Sequence, residues 1–555
     1  MRNSARRRGL ITAAVLTAGA VALTGCVQSD RGDGGGSDEG ADGTFIMGVS
    51  GEPVTLDPAF ASDGESFRVS RQIFEGLVGV SEGGTDPVPL LAEDWTQSDD
   101  GLEYVFDLKE GVTFHDGSAF DAEAVCFNFD RWYGFEGNAA SPAASYYYGN
   151  LFLGYEGDEG AVFASCEVTG DAEATVTLTE PFSGFIPALS LPAFAMQSPT
   201  ALEEYAADDL GGTAEAPAIT EYGQGHPTGT GPFVFEEWDA GASVSLSAYG
   251  DYWGEQGDVT DITFQVSGDP TASRQALEAG TIDGYDLVSP ADAASLADDG
   301  FRIETRDPFT ILYLAINQAN PEIPELADPR VRQAISMAID KDALVSQTLP
   351  EGTEAATQFI PPTVSGYNDE VTTYDYDPEA ARALLDEAGI EEGWELMFNY
   401  PTNISRPYMP NPETTFTAIS GMLEEVGITA VPQPNEWGEY LDRMQGGTDH
   451  GLHLLGWTGD YNDTDNFLGV FFGTNSFEWG FENPELFDKL SEARRSADPD
   501  AAQALYEEIN EDIAQFIPGV PLAHPAPSLA FDERIASYPV SPVNDEVYNL
   551  VEFAD

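Results

Sequence analysis

From residue 44 onward the chain alternates short strand-like runs with helix-like segments, and this alternation restricts the fold to the mixed α/β class. Strands are expected at 44–50, 104–108, 174–179, 243–248, 261–266, 311–317 and 395–400, where β-branched and aromatic residues cluster between turn residues. Helix starts are marked by a capping residue followed by proline. Asp328-Pro329 precedes an apolar stripe of Val331, Ala334, Ile335, Ala338 and Ile339. Asp377-Pro378 opens a second helix that Gly389 should end, and Asn483-Pro484 and Asp498-Pro499 open two more. In each pair the Asp or Asn side chain accepts from an unpaired first-turn amide, while proline pre-sets φ and has no amide to waste. The stripes read as core faces. At 555 residues and 42% hydrophobic content, several lobes with a substantial interior are expected.

The charge excludes whole classes of function. Lys and Arg number 22 against 97 Asp and Glu, a net charge of −75, so no basic surface is available to neutralise phosphates and nucleic acid is not a partner. Only Lys109, Lys341 and Lys489 are lysines, and none is followed by Ser or Thr. The GxxxxGK[ST] phosphate loop is therefore absent, and any ATPase chemistry must belong to another chain.

The N-terminus reads as an export signal. Arg2, Arg6, Arg7 and Arg8 precede an apolar run over 10–23, too short for the ~20 residues of a bilayer span, followed by Leu23-Thr24-Gly25-Cys26. These four residues resemble the bacterial lipobox, in which the cysteine is acylated and becomes the mature N-terminus. Residues 1–25 are thus the expected signal peptide and Cys26 the lipidation site. Arg7-Arg8 also fits a twin-arginine signal, leaving the export route open. Residues 26–43 form the tether, whose Gly-rich and acidic part gives a reach of roughly 20 Å. Export and acylation place the protein on the outer face of the cytoplasmic membrane, the periplasmic space in a Gram-negative cell. There, Cys126 and Cys166 are expected to form one disulfide.

Catalytic motifs do not hold up. Gly79-Val80-Ser81-Glu82-Gly83 has the spacing of a nucleophile elbow, but Gly84-Thr85-Asp86-Pro87 follows where a helix is required, so a hairpin turn is expected. His450 and His453 lie three apart in a strand-like context, a weak metal pair. Asp375, Asp377 and Glu379 lack the glycine of a calcium loop and read as a helix cap. Gly223 to Gly231 has no following lysine and reads as a close-packed turn. No catalytic residue, metal or cofactor is assigned.

Several long stretches carry a family resemblance. LAEDWTQSDDGLEYVFDLKEGVTFHDG (91–117), GTGPFVFEEWDAGASVSLSAYGDYWG (229–254), DPRVRQAISMAIDKDAL (328–344) and YDPEAARALLDEAG (376–389) resemble family 5 extracellular solute-binding proteins, the peptide- and nickel-type receptors of bacterial ABC importers. The resemblance implies a two-lobed periplasmic-binding-protein-like α/β fold with an inserted domain and a hinged cleft. Lobe I would comprise 44–76, 223–309 and 525–555, the inserted domain 77–222, and lobe II 310–524. Two stretches of lobe II resemble dipeptide-binding members in particular. In the segment 405–412, Arg406 would pair with the ligand carboxylate, beside Tyr408. In the segment 456–467, Asp460 would take the α-ammonium, beside Trp457. Between them, Trp437 would line the site. The chain departs from the pattern at Thr464, where dipeptide binders usually have proline.

The chemistry agrees with these roles. A free peptide is a zwitterion, and enclosing it needs a fixed partner at each end. Arginine presents a planar fork to a carboxylate, and aspartate accepts from an ammonium. The expected protein is a monomeric, lipid-anchored receptor that delivers short peptides, dipeptides foremost, to a membrane permease served by separate ATPase subunits. The alternative is a nickel, opine or oligosaccharide receptor on the same fold. An exported hydrolase using Ser81 is the outside reading.

Overall fold

The computed structural model describes residues 43–554; the signal segment 1–25, Cys26 and the tether through residue 42 lie outside the described residues. Three sheets organise the chain. The first has seven strands in the order Phe233–Asp239, Ser243–Ala248, Asp261–Val266, Thr44–Val49, Gly284–Asp286, Ser528–Phe531 and Arg302–Thr305. Thr44–Val49 runs parallel to both of its neighbours, whereas Ser528–Phe531 enters antiparallel between two strands formed hundreds of residues earlier. The polypeptide therefore leaves this sheet and returns to it near its end.

The second sheet has six strands, in the order Glu354–Ala355, Gly519–His524, Thr310–Ile316, Leu452–Thr458, Trp394–Thr402 and Ile428–Glu436. Thr310–Ile316 is buried at every position, which explains why TILYLAI reads as a continuous apolar run and not as an alternation. Leu452–Thr458 pairs with it antiparallel, placing Gly456 opposite Leu312 and Trp457 opposite Ile311.

The third sheet is a four-stranded antiparallel one, Ala92–Gln97, Glu103–Leu108, Glu173–Leu178 and Phe163–Gly170. Helix Ala122–Tyr133 packs on it through Phe129 and Trp132, both essentially buried, and Cys126 of that helix is disulfide-bonded to Cys166 of the sheet. Direct bonds join this unit to the six-stranded one: Asn462 Nδ2 donates to Thr85 Oγ1 (3.0 Å), the Ser183 amide to the Arg494 carbonyl (2.8 Å), and Arg494 to the Leu151 carbonyl (2.6 Å).

All seven expected strands are present within a residue or two, and all four proline-initiated helices form, as Pro329–Met337, Pro378–Ala388, Pro484–Arg494 and Pro499–Phe516. Gly389 ends the second in the left-handed conformation. The same signal, a capping side chain followed by proline, also begins Pro270–Glu278, Pro290–Asp298 and Pro412–Glu425. Residues 79–83 lie in a hairpin between Val78–Val80 and Pro87–Pro89, with no helix after Ser81. The Gly223 to Gly231 stretch is a tight passage: a side chain on Gly231 would sit 2.7 Å from the Gln72 carbonyl oxygen, and one on Gly229 would overlap that of Ile73. Among the described residues no helix is long and apolar enough to cross a membrane.

Candidate functional site

Asp460 stands just beyond the C-terminal end of Leu452–Thr458, and the turn that follows holds it in place. Its amide donates to Asn466 Oδ1 (2.8 Å), and Asn466 Nδ2 returns a bond to Asp460 Oδ2 (3.1 Å). Asn466 lies in the short helical turn Thr464–Asn466, capped by Asp463. The other carboxylate oxygen, Oδ1, accepts from the Tyr147 hydroxyl (2.9 Å), which belongs to helix Tyr146–Phe152 of the four-stranded unit. Burial pushes the Asp460 carboxyl up to about 6, against the bonds from Asn466 and Tyr147 and the attraction of Arg71. No cation is paired with Asp460 among the described residues. A carboxylate has about four acceptor positions, so two donors leave room for an ammonium.

Arg406 sits in a tight loop closed by reciprocal backbone bonds with Met409 (3.1 and 2.9 Å). Its guanidinium carbon lies 4.3 Å from the ring centre of Trp437, the first residue of helix Trp437–Gly446. The side chain is half-buried and its Nε has no hydrogen-bond partner. Every other described arginine bonds a carboxylate or a backbone carbonyl. In a chain with 97 acids, a guanidinium kept away from all of them is the notable feature of this loop.

Tyr408 lies two residues after Arg406 in the same loop. Its ring lies against the backbone of Gly456, where an added methyl would overlap both the ring and the Ile311 carbonyl. Glycine is required there because two chains and an aromatic ring converge. Trp457 is the next residue, with Nε1 3.5 Å from Asn466 Oδ1 and its ring edge-on to Phe471. Four residues separate Gly456 from Asp460, a chain reach of at most about 14 Å. The structure thus places Arg406 against Trp437 and Tyr408 against Gly456, with Trp457 next in the same strand and Asp460 just beyond its end.

Asn466, Tyr147 and Arg71 were not singled out by sequence. Asn466 lies six residues from Asp460 and was open to a turn argument. Tyr147 is one of three consecutive tyrosines in a distant segment and carries no local signal. Thr464 is buried, and its hydroxyl bonds the Ser365 carbonyl, a bond that proline could not donate. The loop is therefore anchored differently from one carrying proline. His450 and His453 are fully buried with ring centres 5.0 Å apart, and no cluster of three or more metal-ligating residues exists among the described residues. Ser81 lies in a turn, its hydroxyl accepting from the Asp86 amide (3.3 Å).

The profile described as bacterial extracellular solute-binding proteins, family 5, matches residues 86–479. The dipeptide-binding protein of Escherichia coli strain K12 is 30% identical over 92% of this chain and 94% of its own length. Heme-binding protein A of Haemophilus influenzae is 29% identical over 96% of this chain and 97% of its own length. Among solved structures, the periplasmic binding protein DppA of Helicobacter pylori in complex with the peptide STSA superposes with a TM-score of 0.74 and 25% identity, covering 92% of this chain and 98% of that one. With the three-sheet α/β architecture, these likenesses have one reading: the chain belongs to the family 5 bacterial extracellular solute-binding proteins.

Proposed function

We propose that the protein captures short peptides, dipeptides foremost, in a cleft walled by Arg406, Tyr408, Trp437, Trp457 and Asp460, and hands them to an ABC permease whose ATPase subunits are separate chains. The observation that carries this reading is a pair of unmatched charges. Among the described residues Arg406 has no acidic partner and Asp460 no cationic one within ion-pair distance, although the chain is crowded with carboxylates. A zwitterion supplies both missing partners at once, and the aromatic rings cover its body at low entropy cost. Peptide binders predominate among the similar proteins, which supports a peptide ligand over the heme of the Haemophilus influenzae relative.

The lobes take the bounds 44–76, 223–309 and 525–555 for lobe I, 77–222 for the inserted domain and 310–524 for lobe II. Hinge closure is favoured by a ligand that bridges them. Acylated Cys26 holds a monomeric receptor at the outer face of the membrane, and the protein carries out no chemistry on its ligand. Calorimetry with a free dipeptide, its N-acetylated analogue and its C-terminal amide tests the reading. Tight binding of the free peptide alone is expected. Equal binding of the N-acetylated form would overturn the Asp460 role and bring a non-peptide ligand to first place.

A further inference from the structure

The turn after Leu452–Thr458 is fastened to the six-stranded unit at two points. The Gly459 amide donates to the carbonyl of Phe309, just before Thr310–Ile316 (2.9 Å), and the Thr464 hydroxyl bonds the Ser365 carbonyl. The four residues between these points all meet the four-stranded unit. Asp460 accepts from Tyr147, Asn462 donates to Thr85, and a side chain on Gly184 would come within 3.2 Å of the Asp463 carboxyl carbon. Tyr461 goes furthest. It is 2% exposed and belongs to the hydrophobic core of the four-stranded unit, whose other buried members all lie between Ala59 and Met196. One aromatic ring is thus carried across the seam by a turn of the other unit. The Asp463 amide bonds the Tyr461 carbonyl (2.9 Å), so the turn is braced and the ring cannot leave without moving its neighbours.

Asp460 and Tyr461 are consecutive, with Cα atoms about 3.8 Å apart, so the placement of one side chain constrains the other. We propose that Tyr461 is a positioning residue for the ligand's ammonium: seated in the core of the four-stranded unit, it holds Asp460 against Tyr147, so that docking of the two units and capture of the ammonium are one step. The proposal rests on the reading of Asp460 as the ammonium acceptor. Withdrawing the ring exposes apolar surface to water and takes Asp460 off the Tyr147 hydroxyl in the same movement. Linkage makes the effect reciprocal: a bound ammonium strengthens the seam by the factor by which the seam strengthens binding.

A double-mutant cycle tests this, with alanylphenylalanine as the probe, titrated calorimetrically at about pH 5.5, below the value of about 6 to which burial raises the Asp460 carboxyl. Tyr461→Ala should weaken binding by about tenfold or more, because it frees the acceptor from its geometry. Tyr461→Phe, which keeps the ring, should stay within about twofold of the unaltered protein. Tyr147→Phe should weaken binding several-fold alone, but by less than about twofold beside Tyr461→Ala, where the bond is already broken. A ring that only filled space would give additive losses. Hydrogen exchange supplies a second measurement. The Ser183 amide, which donates across the seam to the Arg494 carbonyl, should exchange more slowly with saturating dipeptide in the unaltered protein and show no such slowing in Tyr461→Ala. If Tyr461→Ala misfolds, Tyr461→Leu runs the same cycle and the Ser183 response is read on the unaltered protein. Additive losses, undiminished binding by Tyr461→Ala, or Ser183 exchange indifferent to dipeptide would each overturn the proposal. Failure of the peptide reading is distinct, since it shows on the unaltered protein as equal binding of the N-acetylated dipeptide.

Discussion

Tyr147 and Asp460 are 313 residues apart in sequence, yet the phenolic hydroxyl donates to the carboxylate at 2.9 Å, so a helix of the four-stranded unit reaches the site of the six-stranded one. Burial has already raised the carboxyl to about 6, and this bond is one of the few forces holding it down. Peptide binding should therefore depend on pH in a defined direction. An ammonium pairs with ionised Asp460, so affinity is highest between about pH 6 and 7, falls below that by up to tenfold per pH unit for one coupled proton, and declines again towards pH 8 as the peptide amine, ordinarily about 7.7–8.0, loses its proton. The linkage to folding has the opposite sign. An acid whose folded value lies above its unfolded 3.8 favours the native state when protonated, and that contribution is lost as pH rises from about 4 to 6. Calorimetry from pH 4.5 to 8 checks the binding half. Asp460→Asn should flatten the acid limb, and Tyr147→Phe should move that limb's midpoint upward.

Arg406 offers the complementary test. Removing one member of a desolvated charge pair costs about 2–5 kcal/mol, because the other charge is left uncompensated. Arg406→Ala should weaken a free dipeptide at least tenfold but leave its C-terminal amide nearly unaffected. Arg406→Lys should recover only part of the loss, since a point charge lacks both the fork and the flat face that lies over Trp437. An equal loss for peptide and amide would place the carboxylate elsewhere.

Removal of the Cys126–Cys166 bond should act on stability and not on binding. The bond closes a sequence separation of 40 residues within the four-stranded unit, for which chain entropy gives at most about 4 kcal/mol. The double Ser variant should unfold at lower denaturant concentration while keeping dipeptide affinity within about twofold, because the bond joins helix Ala122–Tyr133 to strand Phe163–Gly170, neither of which carries a proposed ligand-binding residue. Parallel denaturation and calorimetry would expose a linked loss of both.

Sequence was most informative where local chemistry decides the structure. Asp377 with Pro378 set a helix start by satisfying an amide and fixing φ, and a reader with no structure can see both. The apolar run around Tyr313 marked a strand for the same local reason, and the structure buries that strand on both faces. Resemblance located Arg406 and Asp460, but their significance as unmatched charges depended on which acids and cations failed to approach them. Composition argued the other way, since an arginine in so acidic a chain is expected to find a carboxylate. Tyr147 and Arg71 were illegible because they act on Asp460 across unit boundaries, at separations no local period encodes.

Gly456 is the position where packing and binding are tied most closely. Its Cα faces the Tyr408 ring on one side and the Ile311 carbonyl on the other, and any methyl there overlaps both. Gly456→Ala must move the ring or push apart Leu452–Thr458 and Thr310–Ile316, which pair antiparallel along their full length. The strand pairing lies at the centre of a buried sheet, so the ring is the part with freedom to yield. Overpacking of this kind costs about 1–3 kcal/mol. Displacing Tyr408 also disturbs the loop that carries Arg406, so peptide affinity should fall by about tenfold or more, and the loss should be greater for the free carboxylate than for the C-terminal amide. Gly446→Ala provides the control: a methyl at Gly446, in the last turn of Trp437–Gly446, meets nothing within 4 Å, and both stability and affinity should stay close to those of the unaltered protein. Thermal denaturation and calorimetry on the pair separate the effects. If Gly456→Ala lost stability but bound peptide and amide as the unaltered protein does, Tyr408 would be a packing residue only and the cleft would lie beyond it.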